Sequence, residues 1–296
     1  MDYGLKTMDD ELWTKIGFTQ IAAIAFPLIA VLFLWWMRGV EADNLTYNVD
    51  AIDAYANLET NYLYLIINGL SVLFPFLLSF DRRVRFYKKW KYLLPAIGLT
   101  ALVFVPWDIY FTVLGVWGFN PNYYYEPLKF LSLPMGEWLF FFVMPYCCVF
   151  IYECLNYYFP KDYLKNIEPF ITYLLILTLL TVSIIHWEKM YTATTFLLTA
   201  AFLMYFVFTN KRAQLSRYYL AYLVSLIPFF IVNGILTGAF TKTPIVVYNN
   251  AENLGIRLGT IPLDDLVYCL LLLLMNMSLF EYFRKKELKI TQTNHL

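Results

Sequence analysis

Four acidic residues occupy places in the 296-residue sequence where charge is costly. Asp108 lies inside a long apolar run, Glu137 follows Pro134 by three residues, and the pair Asp264 and Asp265 follows a second proline. If these runs cross a bilayer, a carboxylate at the centre costs about 2.5–3.5 kcal/mol and needs either a path to water or a function. We therefore consider all four acids as candidates for proton transfer.

Structural roles remain open for the same four acids. Asp108 has no short route to water and could be a hydrogen-bonded structural aspartate. Glu137, Asp264 and Asp265 stand near a proline at the start of an apolar run. There an acid meets the positive end of the helix dipole, which is ordinary helix-start chemistry. The functional interpretation is favoured by the occurrence of the same pattern twice, at equivalent places.

Three further polar residues are candidates for contacts with a bound molecule. Glu153 and Glu281 lie near the ends of their apolar runs, where a glutamate can also reach headgroup water and be purely structural. Asn233 lies near the middle of its run, and asparagines at such places also join helices by hydrogen bonds. Both interpretations stay open for each residue.

Aromatic residues make up 20% of the chain and gather around these acids. The group comprises Trp107, Tyr110, Phe111, Trp117, Trp138, Phe140, Phe141, Phe142 and Tyr146. Aromatic belts at membrane surfaces account for part of the enrichment. Ring faces can also stabilise a cation in an apolar cavity, so Trp107, Trp138 and Phe141 are candidates for binding a substrate. Acids and rings in one pocket would suit carbocation chemistry.

The elements that must position these residues are membrane-spanning helices. The chain is 60% hydrophobic and only 15% charged, which is too little polar surface for a soluble globule of this size. A helical span needs about 20 apolar residues. The pattern predicts an all-α, polytopic membrane helix bundle with about eight spans, near 16–37, 62–80, 92–117, 137–159, 168–186, 193–209, 217–237 and 263–283.

Charge asymmetry predicts the orientation of the bundle. Basic residues gather in the loop 81–91, in the loop 209–217 and after 283, whereas the stretch 39–61 holds acids and no lysine or arginine. Because short basic loops stay on the cytoplasmic side, we expect a multi-pass protein of the cell membrane with both termini in the cytoplasm. The first apolar segment has a mixed-charge flank and predicts a retained anchor.

The sequence contains an internal repeat. A displacement of 128 residues aligns 133–137 with 261–265 and Glu153 with Glu281, and Asp108 falls near Asn233 after a small gap. The displacement spans an even number of crossings, so the two units should be parallel and enclose a pocket at their interface. The predicted parts are an anchor and outer linker (1–61), a first three-helix unit (62–160), a linking helix (161–190), a second three-helix unit (191–286) and a cytoplasmic tail (287–296).

Metal chemistry finds little support in the sequence. The four cysteines all lie inside predicted spans and show no metal-ligand spacing, so we expect small buried apolar residues. The two histidines are too few for a multi-histidine centre of the di-iron type. The sequence therefore predicts no metal site.

Several ordered motifs extend from about Tyr62 to Arg284. They are Phe74–Phe80, Phe86–Lys91, Trp107–Asp108, Gly115–Pro121, Leu133–Phe141, Ile261–Asp265 and Asn276–Tyr282. Together with the duplication, these motifs resemble the membrane-embedded lycopene cyclase family of carotenoid biosynthesis. In that family the two halves are fused in some members, as here, and are separate subunits in others.

The resemblance implies a redox-neutral isomerisation of an acyclic carotenoid. Glu137 or Asp265 would protonate the terminal double bond, the carbocation would close a six-membered ring, and another acid would accept or relay a proton. It also implies a lipid-soluble carotenoid substrate in membrane lipid, no nucleic acid and no cofactor, and the sequence has no Gly-x-Gly-x-x-Gly flavin motif. One departure is Gly136, where family members usually carry a second acid, as Asp264 does in the second unit.

Two other classes of membrane protein lack their residue signatures here, and a third class remains open. A microbial rhodopsin needs a lysine in its last helix, and 263–283 contains none. A membrane prenyltransferase needs a second spaced aspartate motif, which does not accompany Asp264 and Asp265. A small-molecule transporter built from parallel repeats remains the alternative function, because it would use the same central cavity and acids for binding or proton coupling.

Overall fold

The computed structural model describes residues 60–293, with the side chains of residues 60–287. Seven α-helices lie in this part of the chain: α1 (Leu63–Leu78), α2 (Trp90–Val113), α3 (Met135–Tyr158), α4 (Glu168–Ile185), α5 (Met190–Phe208), α6 (Leu215–Leu236) and α7 (Leu263–Thr293). The predicted anchor helix at 16–37, nearly all of the outer linker and the last residues of the predicted tail lie outside the described residues.

The helices agree with the predicted spans. Six described helices are long and apolar enough to cross a membrane, and α1 is a shorter apolar helix. Two ends differ from the prediction. α2 stops at Val113, because Gly115 turns the chain with a φ of 71° before a strand begins at Trp117. α7 continues to Thr293, through most of the segment predicted as a separate tail.

Helix packing repeats between the two units. Within each unit the first helix packs on the third, as α1 does on α3 and α5 on α7. Across the interface the second helix of one unit packs on the third helix of the other, as α2 does on α7 and α6 on α3. The linking helix α4 packs mainly on α5. The predicted architecture of two parallel three-helix repeats with a linking helix is confirmed.

The centre of the bundle is α7. Every residue from Cys269 to Glu281 is buried, as expected for a helix that is apolar on nearly all sides and surrounded by others. Two polar residues in this stretch bond to their own helix, since Asn276 Nδ2 donates to the carbonyl of Leu272 and Ser278 to that of Met275. In lipid, where apolar burial gives little drive to association, close packing must supply the stability of this centre.

Short β-pairs lie at one end of the bundle, which we call the ribbon end; the basic loops lie at the other, the basic end. β1 (Trp117–Phe119) pairs with β4 (Val246–Tyr248) in antiparallel register, Trp117 opposite Tyr248. Since β1 belongs to the first unit and β4 to the second, this ribbon ties the two units together.

A small hairpin precedes the third helix of each unit. β2 (Lys129–Phe130) pairs with β3 (Leu133–Pro134), and β5 (Arg257–Leu258) pairs with β6 (Ile261–Pro262). The two registers match residue for residue at the displacement of 128 found in the sequence. The hairpins therefore present the first turns of α3 and α7 in the same way.

The turn of the first hairpin contains strained backbone. Leu131 and Ser132 both have positive φ, 49° and 69°, as a two-residue hairpin turn of type I′ requires. Gly259 holds the place of Leu131 in the second unit, with a φ of 64°. A left-handed conformation costs a leucine about 1 kcal/mol or more but costs glycine little.

We therefore expect Leu131→Gly to raise the unfolding temperature of the protein in detergent micelles by a few degrees. Leu128→Gly serves as the control, because the backbone of Leu128 lies outside the left-handed region, and this change should lower the unfolding temperature. If the unfolding temperature of Leu131→Gly is no higher than that of the unmodified protein, the turn is not strained.

Candidate active site

A cavity of about 270 Å³ lies between the two units and extends from the ribbon end toward the basic end. Its walls come from α1, α2 and α3 of the first unit, from α5, α6 and α7 of the second, and from β1 and β4. Four polar residues singled out in the sequence line it together, Asp108, Glu137, Asn233 and Asp265, and so do Trp117 and Phe140 of the aromatic group. The predicted pocket at the interface of the repeats is therefore present, and it brings acids of both units into one space.

Glu137 enters the cavity from the first turn of α3. Pro134 precedes the helix in extended conformation, and the short hairpin fixes the direction in which the helix starts. The Tyr64 hydroxyl of α1 donates a hydrogen bond to Glu137 Oε2. Glu137 is therefore held by the first helix of its own unit.

Asp265 enters from the first turn of α7 and accepts hydrogen bonds from three elements. Tyr191 of α5 donates to Oδ1 at 2.6 Å, while Asn233 of α6 and Tyr248 of β4 donate to Oδ2 at 2.7 and 2.9 Å. Burial and the adjacent Asp265 carboxylate raise the pKa of Tyr248 well above its ordinary value, so this hydroxyl keeps its proton and stays a donor. Three donors on one carboxylate favour its ionised form.

The two acids are equivalent by the repeat but differ in their surroundings. Each accepts a hydrogen bond from a tyrosine on the first helix of its own unit, Tyr64 for Glu137 and Tyr191 for Asp265. Asp265 has two further donors, whereas among the described residues the one side-chain bond of Glu137 is that from Tyr64. The two repeated units thus present two carboxyl groups to the same cavity, one with three hydrogen-bond donors and one with a single donor.

Asp108 is the third acid of the cavity. It lies in the last turns of α2, and the indole Nε1 of Trp117 in β1 donates to its Oδ1 at 2.6 Å. Trp117 also lines the cavity, so this bond fixes an aromatic wall and an acid together. Asp108 lies within electrostatic range of Glu137.

Asp264 does not face the cavity. Its side chain accepts hydrogen bonds from Thr192 Oγ1 and from the backbone N–H of Leu254, and it is fully buried. In the first unit its place is taken by Gly136, where a Cβ atom would lie 2.4 Å from Cγ of Tyr64. The Tyr64 ring therefore fills the space that a side chain at this position would need.

The remaining candidate residues lie away from the cavity. Trp107 is fully buried behind it, with its ring 5.2 Å from that of Tyr268, and Phe141 is buried in the core. The indole of Trp138 donates to the carbonyl of Phe130 in the exposed hairpin. None of these three is among the described residues that line the cavity.

Glu153 and Glu281 meet at the basic end and are not among the described residues that line the cavity. Arg284 bridges them, with Nη1 3.0 Å from Glu153 Oε1 and Nη2 2.7 Å from Glu281 Oε1. Lys89 also pairs with Glu153, and Tyr152 donates to Glu281 at 2.9 Å. The two equivalent glutamates thus form one ion network that joins the third helices of the units.

Four tyrosines of the cavity escaped the sequence reasoning: Tyr64, Tyr191, Tyr248 and Tyr268. The sequence held only a weak signal for the first two: each lies near the start of the first helix of its unit, although the displacement of 128 pairs Tyr64 with Thr192. Tyr248 and Tyr268 carry no such mark, since 25 tyrosines are spread along the chain. Their position depends on the ribbon and on the central helix.

These features define a polytopic membrane protein with two fused three-helix units and an acid-containing cavity between them. A family model described as lycopene cyclase matches residues 61–155 and 188–283. The chain belongs to the lycopene cyclase family, which makes it a carotenoid cyclase with a lipid-soluble carotenoid as its substrate. The two matched segments coincide with the two units and leave α4 between them. Comparisons with curated proteins and with solved structures found no significant match.

The packing at Gly136 yields a prediction. We expect Gly136→Ala to lower stability by about 1–3 kcal/mol and to reduce cyclisation, because the new Cβ must displace the Tyr64 ring that holds Glu137. Gly98→Ala is the matched control, since nothing lies within 4 Å of a Cβ there, and alanine should be neutral or stabilising in the helix. Both are measured by thermal unfolding and product yield. Higher activity in Gly136→Asp, which restores the acid pair, would contradict this explanation.

Proposed function

We propose that this protein cyclises the end group of an acyclic carotenoid by proton transfer, with Glu137 as the proton donor and Asp265 as the proton acceptor. The observation that carries this assignment is the unequal hydrogen bonding of two equivalent acids in one cavity. The cavity supplies an acid, a base and aromatic walls, which are the groups that the reaction needs.

The reaction adds one proton and removes one. The proton of Glu137 forms a C–H bond at the terminal double bond and leaves a tertiary cation on the neighbouring carbon. A second double bond attacks this cation, which closes a six-membered ring and moves the positive charge into the ring. Asp265 then takes a ring proton, and the electron pair of that C–H bond forms the ring double bond. The product is an isomer of the substrate.

Electrostatics supports this division of roles. Glu137 and Asp265 lie within electrostatic range of each other, and two carboxylates close together in an apolar site do not both ionise easily. Since three donors stabilise the Asp265 anion, Glu137 is the group that retains its proton. The Tyr64 hydroxyl bonds to Oε2, which leaves Oε1 to carry that proton toward the substrate.

Aromatic side chains would stabilise the cation. Rings of Trp117, Phe119, Phe140, Phe229 and Tyr268 line the cavity beside the acids. Their faces attract a cation but are poor bases, so they lower the energy of the intermediate without removing its proton early. Asp108, which Trp117 anchors, adds a further acidic side chain to the wall for electrostatic stabilisation or proton relay.

The other candidate residues receive supporting roles in this proposal. Asp264 positions the start of α7 through Thr192 and Leu254. Trp107 supports the Tyr268 ring from behind. Glu153 and Glu281 hold the units together at the basic end, which we place in the cytoplasm because of its lysines and arginines.

The transporter alternative shares the cavity but predicts no change in the carotenoid. Cells that accumulate lycopene should turn from red to orange or yellow when they express the chain, and the new pigment should have the mass of lycopene. In deuterated water each ring formed should gain one deuterium. Unchanged pigment despite verified protein in the membrane would refute the cyclase activity.

Removal of the proton donor is the first mutational test. We expect Glu137→Gln to lose at least about 100-fold in ring formation, the usual range for general acid catalysis, while the protein level in the membrane is unchanged. Glu137→Asp should restore part of the rate. Full activity of Glu137→Gln would exclude Glu137 from the mechanism.

The adjacent acids on α7 give a matched pair. Both are buried, but Asp265 faces the cavity and Asp264 does not. We expect Asp265→Asn to stop ring formation, because the proton acceptor is lost, and Asp264→Asn to lower thermal stability while retaining most of the activity per folded molecule. Product analysis and thermal unfolding of both variants decide the matter. Equal loss of activity in both would mean that Asp265 acts only through the fold.

A further inference from the structure

The cavity is elongated along α3. Five lining residues occupy one face of this helix at helical spacing: Phe140, Met144, Cys147, Cys148 and Ile151. Glu137 marks one end of the row and Ile151 the other, fourteen residues later, which corresponds to roughly 21 Å along the helix axis. The part of the cavity between the acids and the basic end is therefore a groove that runs along α3.

The side walls of this groove come from two helices that barely touch. Ser71 and Pro75 of α1 line one side, and Ser225, Phe229 and Val232 of α6 line the other. α1 and α6 both pack on α3 but make few contacts with each other. Several of these wall residues are half-exposed rather than buried. Among the helices that the structure describes, the groove thus opens sideways, between α1 and α6.

The rims of the opening face lipid. Leu70 on α1 has 62% of its surface exposed and Ile231 on α6 has 59%, and Phe74 and Ile227 beside them are exposed as well. The ribbon end is closed, because Trp117, Val246 and Tyr248 are buried there. The back wall is the buried part of α7, including Cys269 and Leu272. A lipid-soluble molecule therefore has its access from the side.

A cysteine thiol helps to keep the wall apolar. Pro75 has no N–H for the carbonyl of Ser71, which an α-helix would otherwise bond. The thiol of Cys147 on the floor of the groove donates to that carbonyl at 3.4 Å. The exposed backbone oxygen is thus satisfied inside the protein, and the groove wall offers no strong polar group to the bilayer at this point.

We infer that this groove holds the extended hydrocarbon chain of the carotenoid, which enters sideways from the bilayer between α1 and α6 and places one end group at the acids. The inference rests on the proposed cyclase function. The cavity and its groove together have a volume of about 270 Å³, at the small end of ligand sites, so they hold one end group and the adjoining part of the chain, and the rest of the chain extends through the opening.

The residues that line the groove favour a carotenoid over a phospholipid as the bound molecule. None of the described residues that line the cavity is a lysine or an arginine, so a phosphate headgroup finds no cationic partner. The carboxyl groups at the closed end would repel a phosphate. A pure hydrocarbon that is narrow and long matches both the apolar walls and the closed end.

The test measures carotenoid binding without turnover. In the Glu137→Gln background, made in cells that accumulate lycopene, the purified protein should carry bound carotenoid, measured by absorbance per molecule of protein. Ser71→Trp and Val232→Trp, which fill the groove from opposite walls, should each reduce the bound carotenoid at least tenfold. Exposed leucines on α2 and α4, away from the opening, provide the controls: Leu102→Trp and Leu177→Trp should leave it unchanged.

Each other outcome overturns the inference. It fails if Ser71→Trp and Val232→Trp retain the pigment, if Leu102→Trp and Leu177→Trp lose as much of it, or if Glu137→Gln carries phospholipid instead of carotenoid. Its failure can be told from failure of the cyclase proposal. An unmodified protein that binds lycopene but forms no ring would refute the chemistry alone, whereas ring formation at full rate in Ser71→Trp and Val232→Trp would refute the groove alone.

Discussion

The carboxylate of Asp265 organises the site, because its three hydrogen bonds come from three separate elements. Tyr191 belongs to α5, Asn233 to α6 and Tyr248 to β4. A buried carboxylate without partners is very costly in an apolar medium, so these contacts must form together. β4 in turn pairs with β1 of the first unit, whose Trp117 bonds to Asp108. One buried charge thereby couples the second unit to the cavity wall of the first.

Duplication gave the cavity two equivalent acids, and their neighbours made them different. The hairpins before α3 and α7 share one register, so Glu137 and Asp265 point into the same space. At the preceding position the units diverge, since Asp264 bonds to Thr192 while Gly136 gives room to the Tyr64 ring. Unequal solvation of like groups is a general way to obtain an acid and a base at one pH.

Much of the fold followed from the sequence because the bilayer restricts what a chain can do. Apolar runs of fixed length gave the helices, and the displacement of 128 gave the two units and their shared pocket. The structure ends α2 earlier than the predicted span, because the turn at Gly115 leaves little trace in hydropathy. It continues α7 beyond the predicted span, because helix continuation past the basic end leaves no such trace either.

The candidate site was predicted in part for a similar reason. Acids stand out in apolar runs, so Asp108, Glu137 and Asp265 were found. The tyrosines that donate hydrogen bonds to two of these acids were not found, because nothing in the sequence distinguishes them from the other tyrosines of the chain. Glu153 and Glu281 showed the converse, since their equivalence in the repeat reflects a shared place in an ion network at the basic end. Periodicity identifies which residues are buried in a span but not which helix they face.

The acids of the cavity all lie near the ribbon end, in the first turns of α3 and α7 and the last turns of α2. A linear carotenoid has two termini, and only one of them can reach such a one-ended chamber at a time. In the proposed binding mode, closing a second ring would require the half-finished molecule to slide out, reverse its direction in the lipid and return. The ratio of one-ring to two-ring product would then depend on how often the one-ring product rebinds after it dissociates. That frequency would fall as the amount of competing carotenoid in the surrounding lipid rises.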